Sequence, residues 1–163
     1  MIKMNYKKIF IIGIIALMVL STCYAAKSVT DFKIDNSYYK VDSGKYFALY
    51  LTNNQESGIA IYKYVNDKDI VDENDKYDHM VNDYGKQYIN PNEHIDITKN
   101  KDNTTVFKDH GNQEHGVLEL VKIGDEQFVI VAFTKEQSKT EQSTLVTLLN
   151  NFNKANNLTP IAY

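Results

Sequence analysis

The chain has 163 residues, a formal net charge of −3 and a pI near 5.8, with no arginine among its 18 basic residues and one cysteine. An acidic chain lacking the side chain best suited to bidentate phosphate and guanine contacts is not expected to bind nucleic acid. A lone cysteine, Cys23, excludes a disulfide framework and a thiolate zinc site, and it leaves residues 27–163 without a cysteine nucleophile.

The first eight residues, MIKMNYKK, carry Lys3, Lys7 and Lys8 and no acid, and residues 9–26, IFIIGIIALMVLSTCYAA, carry no charge. A basic end, an apolar stretch and small residues at its close make a secretory signal. Cys23-Tyr24-Ala25 puts small residues at −3 and −1. Cleavage after Ala25 is therefore expected, with 1–25 as signal peptide and 26–163 as a single extracytoplasmic domain. Two alternatives stay open. Leu20-Ser21-Thr22-Cys23 approaches a lipid-attachment site, except that Thr22 is larger than the small residue needed before the cysteine. An uncleaved 9–26 also sits at the lower edge of a spanning helix, about 18–20 residues for a ~30 Å core, with the lysines staying inside. All three place residues 27–163 outside the cytoplasmic membrane, secreted or at the cell surface, with membrane contact only through the N-terminal segment.

In chain order, FKID (32–35) and YYKV (38–41) read as a first ribbon, with Asp42-Ser43-Gly44 as a turn. FALYL (47–51) and IAIYKY (59–64) alternate with period two around a polar loop ending in Gly58, which predicts a hairpin. In residues 66–86, Ile70, Tyr77, Val81 and Tyr84 form a helical stripe, and Gly85 is placed to cap it. After Asn90-Pro91-Asn92 the period returns to two. Strands are expected at Ile95–Ile97, at TTVFKDH (104–110), at HGVLELVKI (115–123) and at FVIVAFT (128–134). The last two are apolar on both faces and should be central. Ser138-Lys139-Thr140-Glu141 fits a capping box. Leu145, Leu148, Leu149 and Phe152 follow at helical spacing, with Asn156 or Asn157 and Pro160 as stops. The expected fold is α+β: a curved antiparallel sheet of about six to eight strands with one mid-chain helix and a C-terminal amphipathic helix packed on it.

Candidate sites are few. Asp67, Asp69 and Asp72, with Glu73, Asp75 and Asp78, suggest a hard-cation cluster. In an EF-hand register from Asp67, however, position five is Val71 and position six is Asp72, so the loop fails. Acids in the first turn of a 72–85 helix explain Asp72, Glu73 and Asp75. In DHGNQEHG (109–116), a two-residue turn at Gly111-Asn112 would oppose Lys108 to His115 and Asp109 to Glu114. His110 and His115 would then be diagonal neighbours on one face. Two imidazoles without a third ligand are not a competent zinc site, so no metal or other cofactor is assigned. Tyr38, Tyr39, Tyr46, Tyr50, Tyr62 and Tyr64 suggest a glycan-binding surface, although AT-rich codon usage and strand propensity also supply tyrosines. Asn103-Thr104-Thr105 is a glycosylation sequon in a predicted turn, and Asn157-Leu158-Thr159 is a second. No nucleophile elbow, phosphate-cradling glycine loop or H-E-x-x-H occurs.

GVLELVKIGDEQFVIVAF (116–133) and LLNNFNKANNL (148–158), after the apolar leader, resemble small exported proteins of methanogenic archaea without an assigned activity. The element order is more distantly similar to the PsbP-like fold, and that resemblance implies an accessory or binding role, carrying no site residues with it. The expected function is an extracytoplasmic binding or accessory module, rather than an enzyme, acting on a cell-envelope protein or glycan. The alternative is an extracellular hydrolase using a carboxylate pair that the sequence does not identify.

Overall fold

The computed structural model describes residues 27–65, 85–87, 93–99, 104–137 and 140–161. Seven strands form one antiparallel sheet: β1 (Tyr38–Ser43), β2 (Phe47–Thr52), β3 (Ser57–Tyr64), β4 (Ile95–Lys99), β5 (Thr104–Asp109), β6 (Glu114–Ile123) and β7 (Glu126–Lys135). Their spatial order is β1-β2-β3-β7-β6-β5-β4. A 3₁₀ turn (Val29–Asp31) precedes them, and the C-terminal helix α1 (Gln142–Ala155) follows. The α+β class, the β4–β7 meander and the terminal helix are as the sequence patterns require. The leader, Asp67, Asp69, Asp72 and most of the 72–85 stretch, Asn103 and Ser138 lie outside the described residues.

The sheet is apolar on both sides. Ala48, Tyr50, Ile59, Ile61, Val117, Phe128 and Ile130 point toward α1, which sets Leu145, Leu149 and Phe152 against them. Ala60, Phe107, Leu118, Val129, Val131 and Phe133 form the opposite core with Ile95. This is why FVIVAF has no polar position: each residue from Phe128 to Ala132 is at most 1% exposed. Each such large side chain contributes roughly 1.5–3 kcal/mol by leaving water.

On the side away from α1, one row across the sheet alternates in size. It runs Leu51, Gly58, Phe133, Gly116, Phe107 and Ile97 through successive register pairs. The Phe133 ring lies over Gly58 and the Phe107 ring over Gly116, each where a side chain would otherwise stand. The glycines are required here by close approach, not by backbone conformation.

Four expectations are corrected. FKID is not a strand: Lys33 gives its N–H to Asn156 Oδ1 (2.7 Å), and its carbonyl accepts from Asn156 Nδ2 (2.9 Å), so its backbone is satisfied by α1. α1 begins at Gln142 with Glu141 as N-cap and no side-chain cap bond, so the Ser138 capping box does not start it. The capping box among the described residues is at the 3₁₀ turn instead, between Ser28 and Asp31. Residues 85–87 are helical, so Gly85 lies within a helix, packed on Tyr62, rather than capping its end. Finally, the Gly111-Asn112 turn is a four-residue loop, His110–Gln113. Asp109 Oδ1 accepts from both the Gly111 and Asn112 amides, and Gln113 takes a left-handed φ of 55°. The paired register on either side, Lys108 with His115 and Asp109 with Glu114, is the expected one.

α1 ends as its sequence suggests. Asn157 adopts φ 56°, and the Leu158 amide reaches back to the Asn153 carbonyl at 2.8 Å, a Schellman-type stop that uses asparagine where glycine is commoner. The β1 edge carries Tyr39 and Val41, the exposed large apolar side chains among the described residues. A register irregularity between Lys40 and Asp42 interrupts that edge. With Lys40 it disfavours pairing with another strand.

Candidate functional site

The N-terminal segment reaches β1 by passing alongside α1. Phe32 anchors it, edge-on to Phe128 (5.2 Å between ring centres) and tilted against Phe152 (5.5 Å). Asn156 then holds Lys33 at both backbone groups, as described above. Asp35 closes a turn by accepting from the Ser37 amide (2.8 Å), while its carbonyl accepts from the Tyr38 amide (3.0 Å). Between these two fixed points the segment stands off the helix and leaves a cleft of about 470 Å³. That volume lies within the roughly 300–1,000 Å³ of small-molecule sites.

The cleft is apolar inside and polar at the rim. Ile59 of β3 lies below, with Ile34, Leu148 and Phe152 on the walls. Lys33, Asp35, Ser37, Thr144 and Asn151 edge it. Hydrogen bonds from the Ser37 side chain and backbone hold the Asp35 carboxyl below the usual range. Burial, reinforced by the Asp35 charge, pushes the Tyr38 hydroxyl above its usual range, so it stays a neutral donor at any physiological pH. One cation, one anion, a phenol and an apolar floor suit an uncharged or zwitterionic amphipathic ligand.

The histidines occupy a different place, at the β5–β6 end of the sheet. His110 Nε2 lies 2.8 Å from Asp96 Oδ2, and His115 Nε2 lies 3.4 Å from the Thr140 carbonyl. What they share is proximity to Glu136, whose carboxyl is held low chiefly by its 2.5 Å contact with Lys108, with smaller contributions from both histidines. His94 is exposed, 3.7 Å from Glu93. Among the described residues no three His, Cys, Asp or Glu side chains are disposed to hold a metal ion. The six tyrosines do not make one surface either: Tyr46 and Tyr50 are buried, and Tyr38 and Tyr39 point to opposite sides of β1.

Two carboxyls that the sequence did not single out as candidate sites are strongly perturbed. Glu114 is pushed up to about 7 by burial and by Asp109 opposite it, with Lys135 opposing the shift. Glu119 is pushed up to about 7 by burial, partly offset by its hydrogen bond from Asn153. They project from opposite faces of β6, because strand side chains alternate and five residues separate them. Neither lines the cleft. No known family model matches the chain, and no curated protein is similar to it.

Proposed function

We propose that residues 27–163 form an exported binding or accessory module whose ligand occupies the cleft between residues 33–38 and α1. The observation that carries this reading is the cleft itself: an apolar interior with a polar rim, fixed at both ends by Asn156 and by the Asp35 turn. Its near-neutral charge favours an amphipathic component of a cell-envelope protein or glycan over a polyanion. An accessory role is also what the distant resemblance of the element order to the PsbP-like fold would imply. The hydrolase alternative has less support among the described residues, where the two raised carboxyls, Glu114 and Glu119, project from opposite faces of β6 and cannot flank one substrate.

The neutral apolar fluorophore N-phenyl-1-naphthylamine tests the cleft. Saturable binding at one site is expected. Ala155→Trp, an exposed helix substitution whose indole fills the cleft, should weaken it at least tenfold without lowering Tm. Equal binding by both proteins would refute the site. The outward address rests on the leader, Lys3, Lys7 and Lys8 ahead of the uncharged 9–26 stretch. Mass spectrometry of the native N-terminus is expected to find Ala26. A lipidated Cys23 or an intact Met1 in the membrane fraction would replace secretion by tethering, and an intact chain in the cytoplasm would overturn export.

A further inference from the structure

Glu119 is 5% exposed and Asn153 is fully buried. Asn153 Nδ2 donates to Glu119 Oε2 at 3.0 Å and to the Thr159 carbonyl at 3.1 Å, which uses both amide hydrogens. Glu119 Oε1 and Asn153 Oδ1 are left buried with no hydrogen-bond partner. Both are acceptors when the carboxyl is ionised, so neither can satisfy the other. Thr104 Oγ1, across from Glu119 on β5, is also buried without a partner, so its hydroxyl reaches neither oxygen. On β7 Glu119 faces Ile130, and on its own strand Val117 and Val121 flank it on the same side. Among the described residues neither β5, β7 nor α1 brings it a charged or titratable neighbour; burial and Asn153 alone perturb it.

We propose that a proton on Glu119 Oε1 is the missing donor, giving a two-bonded acid–amide pair with Asn153 that latches α1 to β6 and opens when the proton leaves. One hydrogen then satisfies two buried oxygens. Asn153 Nδ2–H donates to Oε2, and the carboxyl O–H donates to Asn153 Oδ1. Loss of the proton to solvent puts an uncompensated charge beneath the helix, beside two acceptors with nothing to accept. The last turns of α1 loosen in response. Burial places this transition near neutrality, at about 7. The same turns carry Phe152, a wall of the cleft, and lead into Asn156, which holds Lys33. Ligand affinity should therefore fall as the latch opens. That coupling rests on the cleft being the binding site, and the latch does not.

The test is carbon-13 NMR of the intact chain labelled at glutamate Cδ, with E119Q and E114Q assigning the two raised carboxyls. Glu119 is expected in its neutral form at pH 6 and ionised by pH 8. Over the same interval amide exchange in residues 149–155 should rise at least tenfold beyond the intrinsic pH dependence. In E119Q it should not, because an amide–amide pair keeps both bonds without a titrating proton. An ionised Glu119 at pH 6, or the same excess exchange in E119Q, would overturn the latch. Naphthylamine affinity that ignores pH while Glu119 titrates would overturn only the coupling to the cleft.

Discussion

Gly116→Ala is expected to remove more than about 4 kcal/mol of stability, a large part of the roughly 5–15 kcal/mol a domain of this size possesses. A methyl group at residue 116 would fall 2.5 Å from Phe107 Cε1 and closer still to the Ala132 carbonyl oxygen. The ring can turn aside only into a packed core, and the carbonyl belongs to the backbone of β7, so relief means separating β6 from β7. Urea denaturation measures the loss. Gly58→Ala, with Phe133 Cζ and the Tyr50 carbonyl oxygen both 2.6 Å from the added carbon, should behave alike. Gly111→Ala, in the exposed loop with 3.3 Å to Asp109 Oδ1, should cost far less. A Gly116→Ala protein within about 1 kcal/mol of wild type would mean that the glycine–phenylalanine row does not set the β6–β7 spacing.

Stability should decline as pH rises from 5 to 8, the reverse of the trend set by ion-paired carboxylates. The sign follows from Glu119. Its folded value of about 7 lies above the ordinary 4.5, so the native state holds a proton that the unfolded chain has released. The stabilisation is fully present below about pH 4.5 and is lost as pH climbs through 7. For a group this buried the loss amounts to about 3 kcal/mol at 1.36 kcal/mol per unit. Glu114 acts in the same direction and window. Asp35 and Glu136, both held low, oppose it only at acid pH, where they become protonated. Urea titrations at pH 5, 6, 7 and 8 should show the decline, and E119Q should flatten most of it and exceed wild type at pH 8. A wild-type stability that rises across this range would contradict a neutral Glu119.

The strands and the terminal helix were legible because burial imposes a period, and the period survives in the residues. FVIVAF lacks a polar face because both of its faces are covered. Leu145, Leu149 and Phe152 repeat because one side of α1 meets the sheet. FKID was misread for an instructive reason: Phe32 and Ile34 alternate as in a strand, but the hydrogen-bond partner of Lys33 is a side chain 123 residues away, which no local pattern announces. The cleft was illegible for the same cause, since it exists only where segments 33–38 and 144–155 meet. The latch did leave a trace. Glu119 interrupts the apolar run GVLELV, and Asn153 falls on the helical stripe four residues after Leu149. Two polar residues at core positions on elements expected to pack together were a signal of a buried pair, lost when each was read as part of its own element. The two-residue turn expected at Gly111-Asn112 failed because Asp109 captures the loop amides and closes a four-residue loop.

The strand order also has a kinetic consequence. β1–β2–β3 and β4–β5–β6–β7 are each contiguous meanders, and one seam, β3 against β7, joins them. Hairpins within each meander close short loops and form in microseconds, whereas the seam pairs Ser57 with Thr134 and Tyr64 with Gln127 across most of the intervening chain. Loop-closure entropy makes that pairing the late event and the slow one. Before it forms, β3 and β7 are both open edges, and β7 carries the uninterrupted apolar run FVIVAF. The chain would be most exposed to aggregation in that interval.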